Sequence, residues 1–391
     1  MDCPRRSDSA RPPSEGLSQQ TNLVNMEHVY SKNLSRRYTR PPKDSESLSP
    51  SAQKLFKGLE INERILLGLY LKSIISVNDI SRSELVELVR LAACLESMEI
   101  AEAHPLDGKI AITAFFEAST RTRCSFESAM LRLDGKIISI PEGSSTGVKK
   151  GESLADIGEM FNAYGDVVIM RHTEKDSVDQ ICEGLRLPLI NAGNGMGEHP
   201  TQALADWYAL IKWCPELIDD DSDVSLNLGI LGTPGSMRAV KSFLLLALKF
   251  SEHIKSVTFI SEMADPLGAD IKQAITDAGI EFTVSNDMGQ HLPELDVIYM
   301  NSIVCVGETY AAMDSSYKLD KSSPIKEGAV ILHPLSRLDE LDRSLDTSAH
   351  NLYFSQAHGA VFIRQALLIC MLGRLNKLPR EVPLVSGTTE S

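Results

Sequence analysis

With 391 residues the chain is long for one core, and two domains with appendages are expected. A hydrophobic share of 43% without an uninterrupted apolar run of spanning length fits a globular protein and argues against a membrane-spanning one, and a net charge of −14 argues against general nucleic-acid binding. Seven cysteines, at 3, 94, 124, 182, 214, 305 and 370, show neither C-x-x-C pairs nor disulfide-scaffold density, which points to a reduced, cytoplasmic compartment and to no metal site.

Residues 1–54 are rich in Ser, Pro and Arg and poor in large aliphatics, so they read as a disordered or partner-docked extension. An organelle leader fits less well, since Asp2, Asp8 and Glu15 come early and no apolar h-region follows; Met26 is an alternative start. From Asn62 to Ser97 the apolar spacing predicts two helices, the second capped by Ser81 or Ser83. Strand 109–116 then leads through a turn to helix 125–133, strand 136–140, helix 153–164 and strand 166–171. A helix with proline in its first turn spans 200–212, and the acidic loop 219–223 marks a domain switch before strand 224–231. Further strands are expected near 257–260, 281–284, 297–300 and 329–332, and a last helix near 359–372. Short continuous apolar strands between helices indicate parallel sheets covered on both faces, so the fold class is α/β with two doubly wound parallel-sheet domains.

The turn Glu117-Ala118-Ser119-Thr120-Arg121-Thr122-Arg123 packs three hydroxyls and two guanidinium groups between a strand and a helix. Helix-start amides and the positive end of the helix dipole favour an anion there, and arginine adds bidentate donors suited to phosphate. Taken alone, S-T-R-T also fits an ordinary capped helix with surface arginines. Downstream follow Gly147-Val148-Lys149-Lys150-Gly151, Met170-Arg171-His172, Asn191-Ala192-Gly193-Asn194-Gly195, Glu198-His199-Pro200-Thr201-Gln202 and His333-Pro334-Leu335-Ser336-Arg337.

In this order and spacing the blocks, between about Ile65 and about Leu375, resemble the aspartate/ornithine carbamoyltransferase family, with H-P-L-x-R closer to the aspartate branch. The resemblance implies a carbamoyl phosphate domain, 55–205, completed by the C-terminal helix 355–378, an acceptor domain, 206–354, and a tail, 379–391. It implies attack of an amine on carbamoyl phosphate through a tetrahedral intermediate, with no cofactor, no metal and no covalent nucleophile. Ser119, Thr120, Arg121, Thr122 and Arg171 match the family's phosphate ligands, and Leu335 the residue whose backbone meets the ligand. His199 and Gln202, with Thr122 and Arg171, are the candidate donors to the developing oxyanion, although His199 before Pro200 also reads as a plain helix cap. Thr146 and Lys150 sit on a loop that in the family crosses to a neighbouring subunit, implying a homotrimer with shared sites.

The acceptor side departs from the family. Arg238 matches one of two carboxylate-binding arginines, but in Tyr299-Met300-Asn301-Ser302-Ile303-Val304 the positions of the second arginine and its glutamine are Ser302 and Val304. No arginine occurs between Arg238 and Arg337, so the loss does not depend on alignment. Ser336 and Ala118 replace prolines; if the relatives' peptide before that proline is cis, serine bears about 2.5–4 kcal/mol to keep the shape, and a trans turn is the alternative. The expectation is therefore a carbamoyltransferase with an acceptor other than aspartate. The alternatives are an ordinary aspartate carbamoyltransferase of pyrimidine synthesis, with Lys318 or Lys321 replacing the lost guanidinium, and a non-catalytic member binding carbamoyl phosphate or a partner.

Overall fold

The computed structural model describes residues 60–98, 103–143, 151–232, 235–301 and 317–385, with Ala52, Leu55, Gly147 and the backbone of 303–306 and 309–312. These fall in one compact unit, Leu48–Ser391, and all of 1–54 except Ala52 lies outside the described residues.

The chain enters through α1 (Glu63–Leu67) and α2 (Arg82–Ser97). The apolar run from Ile65 predicts a helix through Ile75, but the helix stops at Leu67: Gly68 caps it, Leu71 takes a positive φ of 56°, and Ile74 instead bridges to Ile190 at a sheet edge. Hydrophobic spacing cannot tell a helix face from a buried edge segment, and the turn decides the outcome. Of the two candidate caps for α2, Ser81 is the one, in a reciprocal capping box with Glu84.

Four strands with helices between them then build the first sheet: β1 (Ile110–Phe115), α3 (Thr120–Arg132), β2 (Lys136–Ile140), α4 (Leu154–Phe161), β3 (Val167–His172), α5 (Ser177–Cys182) and β4 (Leu189–Asn194). Its order is β2-β1-β3-β4, all parallel, so the chain leaves β1 to one side and returns on the other. Strands β1 and β3 are buried almost throughout, which is why they read as unbroken apolar runs. α3 starts at Thr120, five residues before the helix legible from apolar spacing, because its first turn is polar and faces a cleft.

α6 (Pro200–Trp213) leads to the second sheet of β5 (Leu226–Leu231), α7 (Arg238–Ala247), β6 (Ile254–Ile260), α8 (Ala269–Asp277), β7 (Glu281–Ser285) and β8 (Val297–Tyr299). A hairpin of β9 (Ile303–Val306) and β10 (Thr309–Ala312) follows, then β11 (Val330–Leu332) and α9 (Tyr353–Met371). The sheet order is β11-β8-β5-β6-β7, again all parallel, with a reversal between β5 and β8. α9 starts six residues earlier than its apolar stripe suggests, and it returns to pack on α2, α3 and α6.

One hydrophobic core runs through both sheets. At the junction Trp207 of α6 stacks on Phe250 at 4.6 Å and on Phe243 of α7 at 6.0 Å, and Phe243 stacks on Tyr299 at 4.4 Å. This stack fixes the two sheets against each other through large buried aromatic area.

Candidate active site

In an open parallel sheet the ligand crevice lies beyond the strand C-termini where the strand order reverses. Here there are two such places. Between β1 and β3 lie the S-T-R-T turn and Arg171; between β5 and β8 lie Arg238, at the first turn of α7, and Asn301. Both open into one cavity of about 410 Å³, lined by Ser119, Arg121, Thr122, Arg171, His199, Gln202, Arg238 and Asn301, with the 333–336 turn and α9 closing it.

The cationic side is tightly organised. Glu117 places one carboxylate between two guanidinium groups: Arg171 donates to Oε1 at 2.5 Å, and Arg238 donates to Oε1 at 2.7 Å and to Oε2 at 2.9 Å. Arg238 also donates to the Gly195 carbonyl at 2.9 Å. Burial would raise the Glu117 carboxyl, but Arg238 and Arg171 hold it below the ordinary carboxylate range. Burial, reinforced by the charge of Arg238, pushes the Arg171 guanidinium down to about 10, so it stays cationic at neutral pH. Only glycine fits at 193: its φ is 115°, and a Cβ there would sit 3.0 Å from Arg238 Nε and 3.3 Å from Arg171 Nη1.

His199 occupies the N-cap position of α6, yet its ring makes no capping bond. Its backbone N–H donates to Ser242 Oγ of α7 at 2.8 Å, which anchors it across the domain junction. The residue is 5% exposed and lines the cavity, and neither ring nitrogen has a partner among the described residues. Burial, then the charges of Arg171, Arg238 and Arg364, hold its pKa well below the usual imidazole value, so the ring is neutral with one N–H to donate. Ser119, the N-cap of α3, likewise leaves its hydroxyl uncommitted to the helix and lines the cavity.

The 333–336 turn is held from three sides. His333 Nε2 meets Glu340 Oε1 at 2.9 Å, its Nδ1 accepts from the Leu335 N–H at 2.9 Å, and its backbone N–H donates to Gln356 Oε1 at 2.9 Å. Arg121 closes the turn by donating to the Leu335 carbonyl at 2.5 Å. The Leu335–Ser336 peptide is cis, which corrects the trans alternative suggested by the missing proline.

Of the expected residues, Ser119, Arg121, Thr122, Arg171, His199, Gln202, Arg238 and Leu335 meet at one cavity; Thr120, the first residue of α3, is not among its lining residues. Thr146, Lys150 and Ser302 lie outside the described residues, and Val304 is described only as backbone of β9. Lys318, offered as a substitute cation, pairs with Asp342 at 3.3 Å and does not line the cavity. Sequence reasoning missed Glu117, Asp206, His333, Gln356 and Arg364. A signal existed for two of them: Gln356 and Arg364, with Ala357 and Ala360, form a polar and small stripe along one face of an otherwise apolar helix. Among the described residues no group of three His, Cys, Asp or Glu side chains could hold a metal ion.

Comparison with known proteins agrees with this geometry. The family model described as "Aspartate/ornithine carbamoyltransferase, carbamoyl-P binding domain" matches residues 72–212, and "Aspartate/ornithine carbamoyltransferase, Asp/Orn binding domain" matches 225–371. The aspartate carbamoyltransferase catalytic subunit of Thermococcus gammatolerans is 38% identical over 315 residues, covering 78% of this chain and 98% of that one. That of Aliivibrio fischeri is 36% identical over 314 residues, with the same coverage. Aspartate transcarbamoylase of Trypanosoma cruzi, solved with carbamoyl phosphate and aspartate, superposes with a TM-score of 0.69 at 29% identity, over 78% of this chain and 98% of that one. With both family domains matched in order, and two sheets presenting their reversal points to one arginine-rich cleft, the chain belongs to the aspartate/ornithine carbamoyltransferase family and is a carbamoyltransferase.

Proposed function

We propose that the chain transfers the carbamoyl group of carbamoyl phosphate to the amino group of aspartate, in the cytosol, as a homotrimer with sites shared through Thr146 and Lys150. The observation that carries the reading is the convergence of Ser119, Arg121, Thr122, Arg171, His199 and Arg238 on one cleft, in a chain whose curated relatives are named aspartate carbamoyltransferase catalytic subunit. These relatives support aspartate more than the divergent acceptor expected from the sequence.

In this reading Arg121 and Arg171, with the hydroxyls of Ser119 and Thr122 and the α3 amides from Thr120 on, hold the phosphoryl group. The acceptor's amine attacks the carbonyl carbon with its lone pair, and the C=O electrons move onto oxygen, where the neutral His199 N–H, Thr122 and Arg171 meet the charge. Collapse re-forms C=O and breaks the C–O bond, whose electron pair leaves with phosphate, and the departing phosphate takes the proton that the nitrogen loses. Arg238 takes an acceptor carboxylate, displacing Glu117 from one of its guanidinium partners.

A second reading is favoured by one observation: no arginine lies between Arg238 and Arg337, and Lys318 is committed to Asp342. With one guanidinium left, the best acceptor carries a single carboxylate, because a buried carboxylate without a charged partner is strongly disfavoured. Steady-state kinetics at saturating carbamoyl phosphate separate the two. Under the aspartate reading kcat/KM for aspartate reaches about 10⁴ M⁻¹s⁻¹ or more, within the usual enzyme range. Under the second, mono-carboxylate amino acids exceed aspartate, and Ser302→Arg with Val304→Gln improves aspartate use selectively.

The shared site has its own check. Inactive Lys150→Ala and inactive His199→Ala chains, mixed and allowed to exchange, should regain part of the activity, since some interfaces then hold one intact site. Exchanged trimers that stay inactive would rule sharing out.

A further inference from the structure

Asp206 lies on α6 one turn beyond Gln202 and is completely buried. Its carboxylate collects three donors: the side-chain amide N–H groups of Gln202 at 2.7 Å and Gln356 at 2.5 Å on Oδ1, and the Tyr299 hydroxyl at 2.9 Å on Oδ2. An ionised carboxylate only accepts, so each partner must turn its donor inward. For Gln202, which lines the cleft, Nε2 is thereby committed to Asp206, and the carbonyl Oε1 is the end left for a ligand. This revises the expectation of Gln202 as an oxyanion donor. Gln356 extends the arrangement, because its own Oε1 holds the His333 backbone N–H at 2.9 Å.

We propose that Asp206 is a positioning residue that fixes the Gln202 carbonyl oxygen toward the cleft, so that the cleft reads an N–H donor on the bound acyl group and prefers carbamoyl phosphate to acetyl phosphate. The inference rests on the donor-site reading above. Acetyl phosphate has a methyl where carbamoyl phosphate has its NH₂, and binding it sets that methyl against Oε1, which then has no donor; sites built around a hydrogen bond reject analogues that lack it. The opposite amide orientation would set the Gln202 oxygen against the Asp206 oxygen, two acceptors face to face. Burial pushes the Asp206 carboxyl up to about 7 against the pull of its three donors and of the Arg364 charge, so the arrangement is tested at about pH 8, where the carboxylate is ionised.

The experiment is calorimetric titration of the full chain with carbamoyl phosphate, acetyl phosphate and inorganic phosphate. The unmodified protein should bind carbamoyl phosphate more tightly than acetyl phosphate. In Asp206→Asn, whose amide permits either Gln202 orientation, that preference should shrink by about tenfold or more, the scale of one buried hydrogen bond. Inorganic phosphate should bind within about twofold of the unmodified protein, since its ligands are untouched; a merely structural loss would weaken all three anions together. Should Asp206→Asn not fold, Gln202→Met removes the amide while leaving Asp206 two donors, and the same selective loss is expected. An unchanged preference in whichever variant folds, or parallel weakening of the three anions, overturns the proposal. Equal binding of the two acyl phosphates by the unmodified protein overturns it alone, whereas failure to bind any of the three overturns the donor-site reading with it.

Discussion

His199→Ala should lower kcat by about 10²–10³-fold, the usual cost of losing one preorganised donor to a developing oxyanion. The fold should survive, because neither ring nitrogen bonds another described residue and the anchoring contact to Ser242 uses the backbone N–H. Stopped-flow or steady-state measurement at saturating substrates, paired with thermal melting, checks both halves; a kcat within tenfold of the unmodified protein would remove His199 from the chemistry. The pH profile is a second check. Burial and three nearby guanidinium groups hold the imidazole neutral, so His199 should add no step to the kcat profile as pH falls through about 6.5, where an ordinary histidine titrates, and any step from Asp206 should be shared by the unmodified protein and His199→Ala. Stability responds in the opposite sense to a paired histidine: the unfolded imidazole takes up a proton that the folded one resists, so the folded state loses stability as pH drops below about 6.5.

Arg171→Ala should weaken carbamoyl phosphate binding by about 100-fold or more, since a guanidinium–phosphate pair supplies two charge-assisted bonds of roughly 1.5–3 kcal/mol each. Arg171→Lys should fall between, because an ammonium keeps the charge but loses the fork. The remaining Glu117–Arg238 pair, at 2.7 and 2.9 Å, keeps the carboxylate partnered, so circular dichroism should be unchanged. Calorimetry returning an affinity within about threefold of the unmodified protein would show that the phosphate sits elsewhere.

The alternation of buried strands and helices, the parallel sheets and the polar S-T-R-T turn between strand and helix were all legible in the residues, because each rests on local pattern. What stayed hidden depends on tertiary closure. Glu117 stands next to the S-T-R-T turn, but nothing local says that it joins Arg171, some fifty residues away, to Arg238 at the start of α7. Asp206, read as one polar residue in a helix, becomes the meeting point of α6, β8 and α9 only once the domains pack. The run 65–75 misled because both a helix and an edge segment bury apolar side chains, and Gly68 settles which one forms.

Helix α9 covers α2, α3 and α6, so the first domain is roofed by the last helix of the fold. On the ribosome this imposes an order of events. The first sheet can form as soon as it emerges, yet Phe126 of α3 and Tyr208 of α6, which lie against Arg364 and Gly359 of α9, have no lid until Tyr353–Met371 has been made, and closing so long a loop is slow. The nascent chain must therefore wait with an apolar face open, the condition under which chaperones are recruited and aggregation competes. Premature termination before Tyr353 would leave a first domain with its sheet intact and its core uncovered, a product for the proteolytic machinery rather than a working half-enzyme.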